Sequence, residues 1–320
     1  MKGYQFEDTQ GTFHLKKAEN ISYLYFPIAG EAGLKSSLTP NLGGDAKIDQ
    51  NTFLLEPVSA ENLVNNRNSR NFWCNVKGIG SWSLTGNAAE ALSKKFTEMQ
   101  DDSEVTAGFM WQKTTRESKK YQLRGEILSF IPVEKNVEVM LVTITNTGRM
   151  AQTVTPTAAI PLYGRSADNI RDHRHVTSLL HRIETTDTGV LVTPTLSFDE
   201  RGHQVNHMTY YCVGWSGNGE KPVDFYPTAE DFVGEGGNFE RPYAIVKKAE
   251  GVKAGTRIEG LEAVGGLHFS EVTLEPEEEC SYLIFTGITE DIQEIRNLSK
   301  TYTTREMVLE ELEKTKAYWQ

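Results

Sequence analysis

The stretch that most constrains the fold is Val137–Asn146. Val137, Val139, Leu141, Thr143 and Thr145 alternate with Glu138, Met140, Val142 and Ile144, so both faces of an extended segment here are largely apolar. Such a strand has to lie between two layers rather than at a wet surface. Strand-like runs surround it, at 12–15, 21–26, 51–57, 70–77, 105–112, 121–131 and 154–162 before and after the Asn146-Thr-Gly148 turn. They continue at 189–192, 207–215, 243–246, 264–274 and 280–288. Many strands joined by polar or glycine-rich turns, with little helix between them, predict a mainly β protein built as a large antiparallel β-sandwich.

Helix signals are few. Asn87 reads as a cap with Glu90 at the reciprocal position, and Leu92, Phe96 and Met99 as one helical face. The segment 30–45, rich in Gly, Pro, Asn and Ser, reads as a loop, as does the polar connection 62–71. Residues 234–241 are glycine-rich but neither follow a clear strand nor open a helix, so they do not read as a phosphate loop. At the chain end 291–300 and 303–320 read as helices. Thr303 and Glu306 suggest a capping box, Glu310 and Lys314 a pair, and Val308, Leu309, Leu312 and Thr315 a buried stripe. That last helix reaches Tyr318 and Trp319 with no C-cap glycine, which reads as an interrupted helix. The expected organisation is a sandwich over 1–290 and the start of a helical linker over 291–320.

Charge and cysteine usage limit the partners. Forty-four acidic against 33 basic residues give a net charge of −11, which argues against nucleic acid or an anionic membrane. No run approaches the ~18 apolar residues of a membrane helix, and no apolar leader follows Met1. Cys74, Cys212 and Cys280 are far apart, form no CxxC pair and sit in apolar runs, so they read as buried thiols of a cytoplasmic protein. Trp73, Trp82, Trp111 and Trp215 read mostly as core, with a sugar-stacking role open for one of them.

One segment breaks the pattern. Between Tyr163 and Ile183 the chain packs Arg165, Arg171, Arg174 and Arg182 with His173, His175, His181, Asp168, Asn169 and Asp172. A basic, histidine-rich break in an acidic β protein is where function is expected. If 173–175 is extended, His173 and His175 share a face and could begin a metal site, with further ligands from His181, His207, Asp168 or Asp172. The arginine forks suit a sugar or small anion better. The plain alternative is internal pairing of Arg171, Arg174 and Arg182 with Asp168, Asp172 and Glu184. No nucleophile motif is present, no carboxylate pair for glycoside hydrolysis stands out, and no cofactor is indicated.

Longer runs carry more information. Tyr25-Phe-Pro-Ile-Ala-Gly-Glu-Ala-Gly33, Ser37-Leu-Thr-Pro40, Gly44-Asp-Ala-Lys47, Asn51-Thr-Phe-Leu-Leu-Glu-Pro-Val-Ser59 and Ser69-Arg-Asn-Phe-Trp73 resemble the cellodextrin and cellobiose phosphorylases of glycoside hydrolase family 94, formerly glycosyltransferase family 36. The resemblance covers the whole chain, including the closing 312–319. It implies a galactose-mutarotase-like super-sandwich followed by linker helices, with a catalytic (α/α)6 barrel and its phosphate site outside this chain. It also implies a homodimer in which a sandwich loop reaches the partner's active site at the acceptor sugar. The chain would then act on β-linked gluco-oligosaccharides with inorganic phosphate only as part of a whole enzyme, and be inactive alone. Where cellobiose-type enzymes carry Gln-Arg in that loop, this chain has His173-Arg174, so Arg174 carries over and His173 departs. Arg174, His173, Arg171, His175, Asp168 and Asn169 are therefore the expected substrate-binding residues, with no catalytic residue and no metal. A free-standing carbohydrate-binding or scaffold sandwich is the alternative.

Overall fold

The computed structural model describes residues 4–21, 24–59, 66–199 and 202–320. An eleven-stranded antiparallel sheet runs from Tyr4–Phe6 at one end to Arg257–Glu259 at the other, with Val137–Asn146 next to Glu279–Thr289 near its middle. A six-stranded antiparallel sheet centred on Gln152–Leu162 packs against it. A four-stranded sheet over Phe26–Ala29, Lys35–Leu38, Ala46–Asp49 and Thr52–Leu55 adds to the same core, and Leu196–Asp199 pairs with Gly202–Val205 as a separate hairpin.

The alternation in Val137–Asn146 becomes two cores. Met140, Val142 and Ile144 face the six-stranded sheet and pack with Phe72, Cys74, Ile160 and Leu267. Val137, Val139 and Leu141 face the other way, where the helices Ile292–Thr301 and Arg305–Trp319 lay Ile295, Leu298, Val308 and Leu312 on them. Tyr302 stacks on Phe285, and the Trp215 indole N–H donates to the Tyr302 carbonyl at 2.9 Å. The outer face of the six-stranded sheet, lined by Trp73, Ala159, Tyr226 and Val264, is covered by residues 229–247, through Phe232, Phe239, Ala244 and Ile245. The order of layers is C-terminal helices, large sheet, small sheet, short helices.

Several expectations change on folding. Residues 243–246 are the helix Tyr243–Lys247, not a strand. Pro242 presets the backbone before its first turn, and burial of Ala244 and Ile245 overrides the β-propensity of the tetrapeptide. The run 105–112 is broken at Met110 (φ 60°) into Asp102–Gly108 and Trp111–Ser118. The helix after Asn87 is only Ala89–Ser93, with Phe96 and Met99 in solvent. Its N-cap position is Ala88, one residue past Asn87, whose amide N–H donates to Asn41 O, Ser69 Oγ and Thr85 Oγ1, and Glu90 holds Lys94, Lys120 and Tyr121. Within 30–45 lies a strand, Lys35–Leu38, with Leu34, Leu38 and Leu42 fully buried. Gly44 (φ +123°) is required in its return turn, since a Cβ there would lie 1.9 Å from the Ser37 carbonyl oxygen. Thr304 rather than Thr303 precedes the last helix, and Lys314 meets Glu311 rather than Glu310. Parts of the expected strand 21–26 and loop 62–71 lie outside the described residues. No helix is long and apolar enough to cross a membrane among the described residues.

The two-sided apolar strand also carries a buried ion pair. Glu138, 3% exposed, receives Arg70 Nε at 2.5 Å and Nη2 at 2.9 Å, and Ser36 Oγ at 2.6 Å. Arg70 Nη1 also donates to the Gly44 carbonyl at 2.8 Å, tying the glycine turn to the central strand.

Candidate functional site

Strand Gln152–Leu162 delivers the chain into the arginine–histidine segment at one end of the six-stranded sheet. A 3-10 turn, Ala167–Arg171, comes first, and the helix Arg174–Ser178 follows with His173 at its N-cap. Thr177 and Ser178 turn inward and donate their hydroxyls to the carbonyls of Arg174 and His175, at 3.2 and 3.3 Å. An extended His-x-His is therefore not formed. In a helix, residues two apart point to different sides, so His173 and His175 do not make one chelating face. Among the described residues no group of three His, Cys, Asp or Glu side chains could hold a metal ion.

Arg174 is the exception on this helix. Its guanidinium turns inward and donates to Glu56 Oε2 at 2.5 Å and Glu262 Oε1 at 3.2 Å. Glu262 also meets Arg165 at 3.4 Å and Arg67 at 3.1 Å. These are not the local partners Asp168, Asp172 and Glu184. Burial pushes the Glu262 carboxyl up, but the attraction of Arg174, Arg165 and Arg67 outweighs it and holds it below the usual range. Burial likewise opposes the charge on Arg174, and its bond to Glu56 reverses that.

The rest of the segment divides by exposure. Arg171, Asp168, His173 and His175 face solvent, together with Val176 at 59% and Leu179 at 61% exposure. Asn169 is buried, with its amide donating to Asp172 Oδ2 at 2.9 Å and its carbonyl accepting from Ser166. Arg182 pairs with Glu259. His181 is fully buried, its Nδ1–H donating to the Leu261 carbonyl at 3.2 Å. Burial, with Arg165 nearby, lowers its pKa to about 3.

Sequence reasoning found the segment but neither its helix nor that helix's foundation. Glu56, Arg67 and Glu262 come from distant segments, with Arg174 118 and 88 residues from its two carboxylates. Nothing marks those two among 44 acidic residues. Trp73, Trp82 and Trp215 are buried, and the Lys316 ammonium lies 4.5 Å over the half-buried Trp111 ring.

Comparison with known proteins adds the family. No curated protein matches the sequence. A bacterial glucoamylase complexed with acarbose resembles the structure at 8% identity and TM-score 0.48, over 97% of this chain and 39% of that one. This chain thus spans less than half of that enzyme's length. A putative aldose 1-epimerase from Escherichia coli K12 (10% identity, TM-score 0.44) is matched over 83% of this chain and 99% of its own. A galactose mutarotase-like protein from Clostridium acetobutylicum (8%, 0.36) is matched over 90% and 98%. Residues 56–305, well over half of the chain, match the family described as the glycosyl hydrolase 94 supersandwich domain. On that match the chain belongs to the glycosyl hydrolase 94 supersandwich family.

Proposed function

We propose that this chain is the dimer-forming, acceptor-contacting domain of an inverting glycoside phosphorylase. The whole enzyme would cleave β-linked gluco-oligosaccharides with inorganic phosphate to a sugar 1-phosphate, using a catalytic (α/α)6 barrel outside the 320 residues. The observation that carries this reading is the helix Arg174–Ser178: Arg174 fastens it from below, while Arg171, His173, His175, Val176 and Leu179 stand in solvent above. An anchored ridge with apolar and hydrogen-bonding groups outward is suited to a neighbouring subunit and its sugar. In this reading Asp168, Arg171, His173 and His175 reach the acceptor, and Arg174 and Asn169 hold the segment in place. Three cysteines outside any disulfide accord with a reducing, cytoplasmic setting.

The test is kinetic. In the full-length enzyme, His173→Ala and Arg171→Ala should raise KM for the acceptor sugar about tenfold in the synthetic direction, with kcat nearly unchanged. Unaltered acceptor kinetics in both variants, or release of sugar phosphate by the 320-residue chain alone, contradicts the proposal. A monomer by light scattering contradicts its dimer component.

A further inference from the structure

The ion-pair cluster beneath the helix is also the floor of an opening. Tyr163, Arg165, Arg174, Arg67, Glu56 and Glu262 line a recess of about 20 Å³, room for one water-sized group. The recess shares Arg67, Ala229, Phe239 and Glu262 with a cleft of about 990 Å³, whose other wall is the helix Ala229–Val233 and the loop after it. That volume is at the upper end of the ~300–1,000 Å³ typical of ligand sites.

Two side chains that line the recess each carry a buried donor with no acceptor. The Tyr163 hydroxyl and the Arg165 Nε–H are unpartnered, on residues each 5% exposed. A buried polar group without a partner is destabilising, so an acceptor brought to either would be held favourably. The surroundings select its chemistry. Glu230, Asp231, Glu235 and Glu240 line the cleft and repel an oxyanion, while Arg67 and Arg165 below repel a cationic peptide. A neutral polyol meets neither conflict. Its hydroxyl oxygens accept from Tyr163 and Arg165, its hydroxyl hydrogens go to the carboxylates, and its C–H face lies along Leu92 and Val233.

We propose that this cleft binds a neutral gluco-oligosaccharide, with one terminal sugar over the Arg67–Glu262 pair and a ring hydroxyl against Tyr163. The inference rests on the carbohydrate reading above, but it uses none of the exposed residues assigned to acceptor contact.

The experiment is calorimetric titration of the 320-residue chain with cellotetraose and laminaritetraose, with inorganic phosphate as the anionic control. Tyr163→Phe is the decisive variant, because the hydroxyl has no partner to lose in the free protein. Saccharide binding should weaken about tenfold in Tyr163→Phe while its melting temperature stays level or rises. Met99→Ala, at a solvent-exposed position outside the cleft lining, should leave the affinity unchanged. No saccharide binding, binding of phosphate alone, equal affinity in Tyr163→Phe, or a lower melting temperature in that variant overturns the inference. Loss of saccharide binding in His173→Ala moves the sugar to the exposed helix, which overturns this site and supports the acceptor reading.

Discussion

His181 should make the fold acid-sensitive in a defined window. In the folded protein its pKa is lowered from 6.5 to about 3, first by burial and then by Arg165. A histidine held neutral contributes stability that is fully present above its unfolded pKa. That contribution is lost as pH falls from 6.5 toward about 3, because only the unfolded chain takes up the proton. At about pH 4.5, two units below the unfolded value, the difference is about 2.7 kcal/mol at ~1.36 kcal/mol per unit. His181→Gln removes the titration and leaves an amide that can still donate to the Leu261 carbonyl. Urea unfolding of both proteins at about pH 7 and pH 4.5 gives the acid loss of each. Glu262, whose folded pKa is also depressed, loses stability in the same direction in both proteins, so the comparison between them isolates the histidine. The wild type should lose about 2–3 kcal/mol more than the variant. Equal losses would refute the claim that His181 is held neutral.

Two further perturbations probe what positions the site. Glu138→Gln leaves the Arg70 guanidinium buried without its countercharge and should cost about 3–5 kcal/mol by urea unfolding; Arg70→Met with Glu138→Leu should recover most of it, and a double variant as unstable as the single contradicts the account. Gly44→Ala should lower the melting temperature by several degrees, because its Cβ would collide with the Ser37 carbonyl oxygen at an unfavourable φ; an unchanged melt means the turn relaxes.

What the sequence revealed and concealed has a physical pattern. Val137–Asn146 was legible to the residue, because a two-sided apolar strand has one solution, and the stripe Val308, Leu312 and Thr315 was legible for the same reason. Tyr243–Lys247 was not, since five residues give no period and tertiary burial decides. Glu138 stood as the one charge in a strand read as two-sided apolar; its partner Arg70 lies 68 residues away, and only folding brings the two together. The arginine–histidine segment stood out by composition, yet which of its arginines turns inward depended on Glu56 and Glu262. Tyr163 was visible as the start of the segment, but its orphaned hydroxyl is a fact of packing that no local pattern encodes.

The order of the large sheet has a consequence for the protein in a crowded solution. An open sheet presents unpaired backbone at its ends, where another chain can add as a further strand. Here those ends are Tyr4–Phe6 and Arg257–Glu259, three residues each, and the second has Arg257 paired with Glu184 across to its neighbour. The long apolar strands that would template an aggregate most readily lie in the middle, hydrogen-bonded on both sides. Sheet order therefore works as a solubility device, guarding the same strands whose two-sided apolarity builds the core.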